Sequence, residues 1–226
     1  MKKVYDTINQ YCVEHELLTN GDGIVIGLSG GMDSVCLLQV LAALRNEWQL
    51  RLVCVHVHHG IRGTAADEDA AFAQRLAAKY NISFRLYEMD IPQLAKEQGL
   101  SEEEAGRNYR YRCFEEVRKE LNFDKIAVAH HRDDQAETVL WQILRGSGLR
   151  GVCGMRAGRA NIIRPLLCLD RQQIEQIVRG NGDGWREDAT NREEKYTRNK
   201  IRNRVFPYIE QEIQPMARRH LVELAE

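Results

Sequence analysis

No run of apolar residues in this 226-residue chain approaches the ~20 that are needed to cross a bilayer. The N-terminus also lacks the apolar segment of a signal peptide. The six cysteines form no C-x-x-C pair and have no metal-ligand spacing. Several of them stand in apolar runs, such as Val53-Cys54-Val55 and Leu167-Cys168-Leu169, which predicts buried, reduced thiols. These absences argue against a membrane protein and a disulfide framework, and they predict a cytoplasmic location.

The formal net charge of −1 conceals an uneven distribution of charge. Residues 1–144 contain 16 Lys and Arg against 22 Asp and Glu, whereas residues 145–204 contain 14 against 7. Arginine enrichment suits phosphate recognition, although a solvated surface produces the same bias. The acidity of the remainder argues against indiscriminate nucleic-acid binding, but a local basic patch can dock one specific RNA.

Apolar strand patterns alternate with helical periodicity along most of the chain. Strands are predicted at Gly23–Leu28, Arg51–His58, Ser83–Met89, Lys125–Ala129 and Asn161–Arg164. Helices are predicted at residues 3–18, Ser34–Leu44, Asp67–Tyr80, Glu102–Leu121 and Asp134–Leu144. This alternation predicts an α/β, doubly wound, Rossmann-like fold with a five-stranded parallel sheet covered by helices on both faces.

The last part of the chain is predicted to be helical. Asp170 has the character of an N-cap for a helix through Val178, and a basic helix is expected at Tyr196–Val205. Pro215 is expected to open a final helix. We therefore expect a small helical segment after the sheet.

The first strand leads directly into Ser29-Gly30-Gly31-Met32-Asp33-Ser34 and then into a helix. A strand that turns through two glycines into a helix presents N–H groups and the helix dipole to an anion. Asp33 would repel a bound phosphate unless a cation such as Mg²⁺ lies between them. The segment therefore predicts a phosphate-binding loop with Asp33 as a metal ligand, although an ordinary glycine turn is the alternative for two glycines alone. It matches neither G-x-x-x-x-G-K-S/T nor G-x-G-x-x-G.

Two more polar clusters follow predicted strands, His58-His59-Gly60 and His130-His131-Arg132-Asp133-Asp134. Because the carboxyl ends of parallel strands meet at one edge of a sheet, we expect both clusters beside the loop. Asp134 and Glu137 are three residues apart on one helix face. They predict an acidic pocket for a cationic substrate or a Mg²⁺ site. Simple helix-end electrostatics would explain the acids but not the paired histidines.

Three further groups of side chains have more than one interpretation each. The histidines at His56, His58 and His59 lack the partners of a zinc site, so the end of this strand is expected to pair with an adenine edge, with Arg62 in a loop near the phosphates. Arg107 and Arg110 share a helix face and suit either phosphate charge or surface pairing with Glu103. Arg198 and Arg202 suit closure over a nucleotide, RNA binding or a solvated helix.

Taken together, these motifs resemble the tRNA(Ile)-lysidine synthetase family of PP-loop ATP pyrophosphatases. The matching segments are S-G-G-M-D-S at 29–34, H-H-G-I-R-G at 58–63, E-E-A-G-R-N-Y-R-Y at 103–111, A-H-H-R-D-D-Q-A-E-T at 129–138, R-P-L-L at 164–167, and E-D-A-T-N with R-N-K-I-R between 187 and 202. The resemblance extends over residues 20–207 or so. Gly106 stands where the family usually has alanine.

The resemblance implies the fold of the adenine-nucleotide α-hydrolases, with a catalytic domain at residues 1–206. Residues 207–226 would then begin a helical linker to a C-terminal domain that lies beyond this chain, so that this form would hold tRNA weakly. The implied reaction joins free L-lysine to C2 of the wobble cytidine of the isoleucine tRNA with a CAU anticodon. It uses ATP and Mg²⁺, passes through an adenylated tRNA, and releases AMP and pyrophosphate.

The resemblance also implies roles for individual residues. Catalytic roles fall to Asp33, Arg110, Asp134, Glu137 and Arg202. ATP would be bound by Ser29, Gly30, Gly31, Met32, Asp33, Ser34, His58 and Arg62, and the substrates by His130, His131, Asp133, Asp134, Glu137, Arg107 and Arg198. The residues leave open a PP-loop tRNA thiolase, an amidotransferase-type PP-loop synthetase and a non-catalytic nucleotide-binding module, and they do not decide between a monomer and a homodimer.

Overall fold

Parallel strands alternate with helices through the first two thirds of the chain, in a computed structural model that describes residues 2–58, 64–148, 152–186 and 197–225. The strands are β1 (Gly23–Gly27), β2 (Arg51–His58), β3 (Ser83–Glu88), β4 (Lys125–Ala127), β5 (Gly158–Arg159) and β6 (Ile162–Ile163). The helices are α1 (Lys2–Glu14), α2 (Met32–Leu44), α3 (Thr64–Lys79), α4 (Ile91–Gln98), α5 (Glu102–Glu120), α6 (Arg132–Leu144), α7 (Arg171–Gly180), α8 (Thr197–Lys200), α9 (Phe206–Glu212) and α10 (Ala217–Ala225). A π-helical segment, Ile201–Val205, joins α8 to α9.

The strands form one sheet in the order β3-β2-β1-β4-β6-β5. The pairs β3–β2, β2–β1, β1–β4 and β4–β6 are parallel, as predicted. The prediction of five strands was wrong, because a short antiparallel hairpin places β5 beside β6. Its turn passes through Ala160 with a φ of 51°, and a hairpin of two-residue strands is too short to show alternation in the sequence.

The strand order reverses between β1 and β4. From β1 the chain proceeds outward through β2 and β3, and it then returns to the other side of β1 to form β4. In doubly wound sheets, ligands bind beyond the carboxyl ends of the strands at such a reversal. The loop after β1 and the histidine-rich segment after β4 therefore face the same crevice.

The central strands are buried on both faces. Ile24 and Ile26 of β1 belong to an apolar cluster that includes residues of α1, α2, α3 and α7. Val25 points the other way, into a second cluster that includes residues of α4 and α5. This burial explains why β1 is apolar without alternation, as expected of a parallel strand covered on both sides.

The first helix ends earlier, and the last helix begins later, than the sequence predicts. α1 ends at Glu14 instead of residue 18, because Glu16 takes a φ of 52° and turns the chain towards β1. The last helix begins at Ala217, after Pro215. Phe206 and Val222 pack with Ala136 of α6 in a third apolar cluster. The division of the chain at residue 206 stays a prediction.

None of the six cysteines, all of which lie in the described ranges, forms a disulfide bond. Cys54 is buried and Cys168 is partly buried, but Cys153 is exposed, which the expectation of buried thiols did not anticipate. Burial raises the pKa of the Cys54 thiol to about 12. None of the helices in the described ranges is both long and apolar enough to span a membrane.

Gly154→Ala is expected to destabilise the fold more than Gly146→Ala. Both glycines have positive φ values, 55° and 73°, so alanine costs about 1 kcal/mol or more at either position. A Cβ at Gly154 would also lie 2.7 Å from Nε2 of Gln135, whereas at Gly146 no atom lies within 4 Å. Gln135 is buried, and its amide bonds both the N–H and the carbonyl of Met155, so it cannot move freely.

We therefore expect losses in the free energy of unfolding of about 2–4 kcal/mol for Gly154→Ala and about 1 kcal/mol for Gly146→Ala. Urea denaturation of the two variants measures the difference. Equal losses would mean that Gln135 does not constrain this loop.

Candidate active site

The loop from Ser29 to Ser34 is organised around one hydroxyl group. Oγ of Ser34 accepts the N–H groups of Ser29 and Gly30 at 3.2 and 3.1 Å and donates to the carbonyl of Gly31 at 2.9 Å. Gly30 has a φ of 90°, which a side chain rarely tolerates. α2 then begins at Met32 without a side-chain cap, so the first N–H groups of the helix remain available to an anion. The glycine turn and the uncapped helix start that the sequence predicts are therefore present, and phosphate binding by this loop stays a prediction.

The entrance to this loop is held by His56 on the neighbouring strand. Nδ1 of the buried His56 lies 2.8 Å from the carbonyl oxygen of Leu28, and because a carbonyl can only accept, Nδ1 carries the proton. Burial lowers the pKa of His56 and favours the neutral ring. His58 has its Nε2 3.4 Å from Oδ1 of Asp67. Its expected role beside an adenine remains a prediction, and Arg62 lies outside the described residues.

His131 connects the loop to α6. Its Nε2 lies 3.7 Å from Oδ2 of Asp33 and 3.5 Å from Oδ2 of Asp134. Its Nδ1 accepts the N–H of Asp133 at 3.3 Å and forms the N-cap of α6, which places the proton of the neutral ring on Nε2. Burial would lower the pKa of His131, but the nearby carboxylates of Asp33 and Asp134 outweigh it and raise the pKa.

Asp134 and Glu137 bind two arginines of the C-terminal helices. Nη2 of Arg198 and Nη2 of Arg202 lie 2.8 and 2.9 Å from Oδ1 of Asp134. Nε of Arg198 and Nε of Arg202 lie 2.8 and 2.6 Å from the two oxygens of Glu137. We call these four residues the arginine–carboxylate network. The acidic pocket predicted from the sequence thus holds cations supplied by the chain itself.

The carboxylates of the network are buried, whereas its arginines are partly exposed. The side chains of Glu137 and Asp134 are 1% and 10% exposed, whereas those of Arg198 and Arg202 are 37% and 32% exposed. Burial of Asp134 would raise its pKa, but the charges of His131 and Arg198 outweigh this and hold the pKa at about 2. Asp134 is therefore a carboxylate at neutral pH and a weak base.

Arg107 and Arg110 lie on the α5 side of the crevice. Arg107 stacks on Tyr111 with its guanidinium carbon 5.2 Å from the ring centre, and it forms no ion pair with Glu103. Arg110 is exposed to solvent on α5. The charge of Arg110 contributes to lowering the pKa of His56, and that of Arg107 to lowering the pKa of His130. Both arginines thus act electrostatically on histidines near the carboxyl ends of β2 and β4.

His130→Asn is expected to weaken the pH dependence of stability. Burial lowers the pKa of His130 from 6.5 to about 3, against the opposing charge of Asp134, and its buried Nδ1 has no hydrogen-bond partner among the described residues. The unfolded chain therefore binds a proton at this residue below pH 6.5 while the folded chain does not. The contribution of His130 to the free energy of unfolding is therefore largest above pH 6.5. It falls by up to about 1.4 kcal/mol per pH unit as the pH falls towards 3.

Urea denaturation of both proteins at a series of pH values between these limits measures this slope. The asparagine variant should show a shallower fall than the parent chain. Parallel curves would contradict a neutral His130 in the folded protein.

Two arginines that the sequence did not single out contact the loop. The N–H of Arg186 donates to the carbonyl of Gly30 at 2.9 Å, and its guanidinium pairs with Asp69 and Glu68 of α3 at 2.7 Å each. Nη1 of Arg171, the first residue of α7, lies 3.1 Å from Oδ1 of Asp33. Only Arg171 carried a local signal, because a cation in the first turn of a helix opposes the helix dipole.

The donor set near Asp33 is compatible with Mg²⁺. No group of three or more His, Cys, Asp or Glu residues within the described ranges forms a metal site by itself. However, Mg²⁺ is commonly held by one or two carboxylates together with substrate phosphates and water. The Asp33 side chain, 33% exposed on the first turn of α2, fits that arrangement.

A family model described as a PP-loop domain matches residues 2–209. A protein named tRNA(Ile)-lysidine synthase from Caldanaerobacter subterraneus subsp. tengcongensis is 48% identical over 211 residues, which cover 93% of this chain and 44% of that relative. A protein of the same name from Clostridium perfringens is 43% identical over 215 residues, covering 95% of this chain and 45% of the relative. The chain spans about half the length of these curated relatives.

Two solved structures share the fold. The U34-tRNA thiolase of Methanococcus maripaludis superposes with a TM-score of 0.74 at 18% identity, over 98% of this chain and 76% of that one. The NH3-dependent NAD synthetase of Campylobacter jejuni superposes with a TM-score of 0.56 at 16% identity, over 99% of this chain and 93% of that one. These likenesses confirm the predicted fold class and, at such identities, concern the fold alone.

Proposed function

This chain belongs to the PP-loop domain family, and from that premise we propose that it carries the catalytic site of a tRNA(Ile)-lysidine synthetase. The proposed ligase joins free L-lysine to C2 of the wobble cytidine of the isoleucine tRNA with a CAU anticodon. It consumes ATP and releases AMP and pyrophosphate. The names of the relatives support the proposed substrate and reaction.

One observation carries the proposal. The phosphate-binding loop and the arginine–carboxylate network form a continuous polar site, because His131 lies within 3.7 Å of Asp33 on the loop and within 3.5 Å of Asp134 in the network. A reaction that first cleaves ATP and then transfers the activated group needs these two functions next to each other. The site occupies the reversal point of the sheet, where such reactants bind.

In the first step, the C2 carbonyl oxygen of the cytidine attacks the α-phosphorus of ATP. A new P–O bond forms, the bond to the β-phosphate oxygen breaks, and pyrophosphate leaves. The N–H groups of the loop and the α2 dipole stabilise the pyrophosphate. We assign Arg110 and Arg107 to stabilising the negative charge that develops at the α-phosphate. Mg²⁺ held by Asp33 would neutralise charge on the β- and γ-phosphates.

In the second step, the ε-amine of lysine attacks C2, and AMP leaves with the electrons of the C–O bond. The amine also loses a proton, which solvent water accepts. Asp134 is a poor acceptor for that proton because its pKa is about 2. We assign Asp134 and Glu137 to holding Arg198 and Arg202 in place and to attracting the ammonium groups of lysine, with His130, His131 and Asp133 around them.

The test is incorporation of radiolabelled lysine into a transcript of this isoleucine tRNA, with pyrophosphate release followed in parallel. The matched control RNA has uridine in place of the wobble cytidine. We expect label only with ATP and the cytidine transcript. Sulfur incorporation from a thiol donor would instead indicate a thiolase, and absence of pyrophosphate release would indicate a non-catalytic nucleotide-binding module. Either result would overturn the proposal.

A further inference from the structure

Arg171 stands at the phosphate-binding loop although it lies far from it in sequence. Its Nη1 is 3.1 Å from Oδ1 and 3.4 Å from Oδ2 of Asp33, a residue 138 positions earlier. The Arg171 side chain is 51% exposed, so its guanidinium is open to solvent beside Asp33 and is not buried in the core. An anion that binds at the start of α2 therefore meets this guanidinium beside Asp33.

Helix stability does not account for an arginine at this position. A cation in the first turn is unfavourable because the N-terminus of a helix carries partial positive charge. α7 is already secured by a capping box, in which Asp170 accepts the N–H of Gln173 at 2.9 Å and Gln173 accepts the N–H of Asp170 at 3.0 Å. An exposed ion pair with Asp33 also contributes little to stability.

The start of α7 is fixed against the site by Arg132. The N–H of Arg132 donates to the carbonyl of Leu169 at 2.8 Å, and its guanidinium bonds the carbonyl of Cys168 and lies 4.0 Å from Asp170. Arg171 follows these residues directly. The first turn of α6 therefore sets the position of Arg171 relative to the loop.

The contacts of Arg171 leave donors available. Both of its hydrogen bonds to Asp33 come from Nη1, and among the described residues Nε and Nη2 have no partner. An arginine fork with free donors matches the geometry of phosphate oxygens. Arg171 also offsets the negative charge of Asp33, which would otherwise repel a phosphate on the loop.

We propose that Arg171 is a phosphate-binding residue of the ATP site, which contacts the β,γ-pyrophosphate and stabilises it as the leaving group. This inference rests on the proposed function, because it assigns Arg171 to the ATP of that same site. Arg171 lies outside every motif that carries the family resemblance.

The test compares Arg171→Ala and Arg171→Lys with Arg219→Ala, which removes a similarly exposed arginine that pairs with Glu223 on α10. Affinities for ATP, pyrophosphate and AMP are measured by titration calorimetry in EDTA, so that the metal role of Asp33 does not contribute. We expect Arg171→Ala to weaken the binding of ATP and of pyrophosphate by about 10- to 150-fold. The binding of AMP should weaken by less than about twofold. Lysine should recover part of the loss, and Arg219→Ala should change nothing.

A second comparison separates direct contact from charge compensation. If Arg171 only neutralises Asp33, adding Asp33→Asn to Arg171→Ala restores pyrophosphate affinity, and the proposal fails. The proposal also fails if Arg171→Ala leaves the affinity for pyrophosphate unchanged, or if it lowers the affinity for AMP as much as that for pyrophosphate. A parent chain that binds ATP and pyrophosphate but does not ligate lysine would refute the proposed function alone, since the comparison of affinities would still decide the role of Arg171.

Discussion

Glu137→Gln is expected to impair lysine ligation strongly and to lower the free energy of unfolding by about 3 kcal/mol. The Glu137 side chain is 1% exposed and accepts hydrogen bonds from Arg198 and Arg202 at 2.6–2.9 Å. Glutamine preserves the shape but removes the charge, so two guanidinium groups are left with Asp134 as their only carboxylate in the network. The arginines then lose their fixed orientation.

The two half-reactions separate the consequences. Pyrophosphate release should persist in Glu137→Gln at temperatures where the variant is folded. Lysine incorporation should be slow at low lysine concentration, because the Michaelis constant for lysine should rise by roughly 10- to 150-fold. Glu175→Gln is the matched control, because Glu175 forms an exposed pair with Arg179 and its loss should cost less than about 1 kcal/mol. An unchanged lysine constant together with unchanged stability would refute the assigned role of Glu137.

Asp33→Asn is expected to reduce ATP turnover by about 100- to 1000-fold while leaving the fold intact. The carboxylate of Asp33 is assigned to Mg²⁺, and an amide is a much weaker ligand for that ion. The stability of the fold should change by less than about 1 kcal/mol, because the Asp33 side chain is 33% exposed and its ion pair with Arg171 is open to solvent.

Pyrophosphate release with tRNA and lysine measures this loss, and thermal denaturation checks the fold. Chelation of Mg²⁺ should reduce turnover of the parent chain to a similar extent and have little further effect on Asp33→Asn. Turnover like that of the parent chain in this variant would show that the loop is not the catalytic phosphate site.

The contrast between these two variants comes from burial. Glu137 lies beneath the arginines in the network, and removing its charge affects both stability and chemistry. Asp33 lies at the surface of the crevice, where water screens its ion pair. In the sequence, Asp33 and Glu137 are each an acidic residue near the start of a helix, and nothing local shows which of them is buried.

The sequence by itself determined the features that depend on neighbouring residues. Two glycines between an apolar run and a helical pattern predicted the loop at Ser29–Ser34, because the turn and the helix start are local. Asp170 predicted the start of α7, since an N-cap acts on N–H groups two or three residues away. Continuous apolar strands predicted a parallel sheet covered on both faces.

Only the tertiary structure decided which charges meet. The pairs of Arg198 and Arg202 with Asp134 and Glu137 span 61 to 68 positions, and that of Arg171 with Asp33 spans 138. A helical period shows which residues share a face but not which face another helix will cover. The pairing is fixed when the strand reversal brings β4 beside β1 and the C-terminal helices pack on α6, because ion pairs depend on distance through space and leave no local pattern in the sequence.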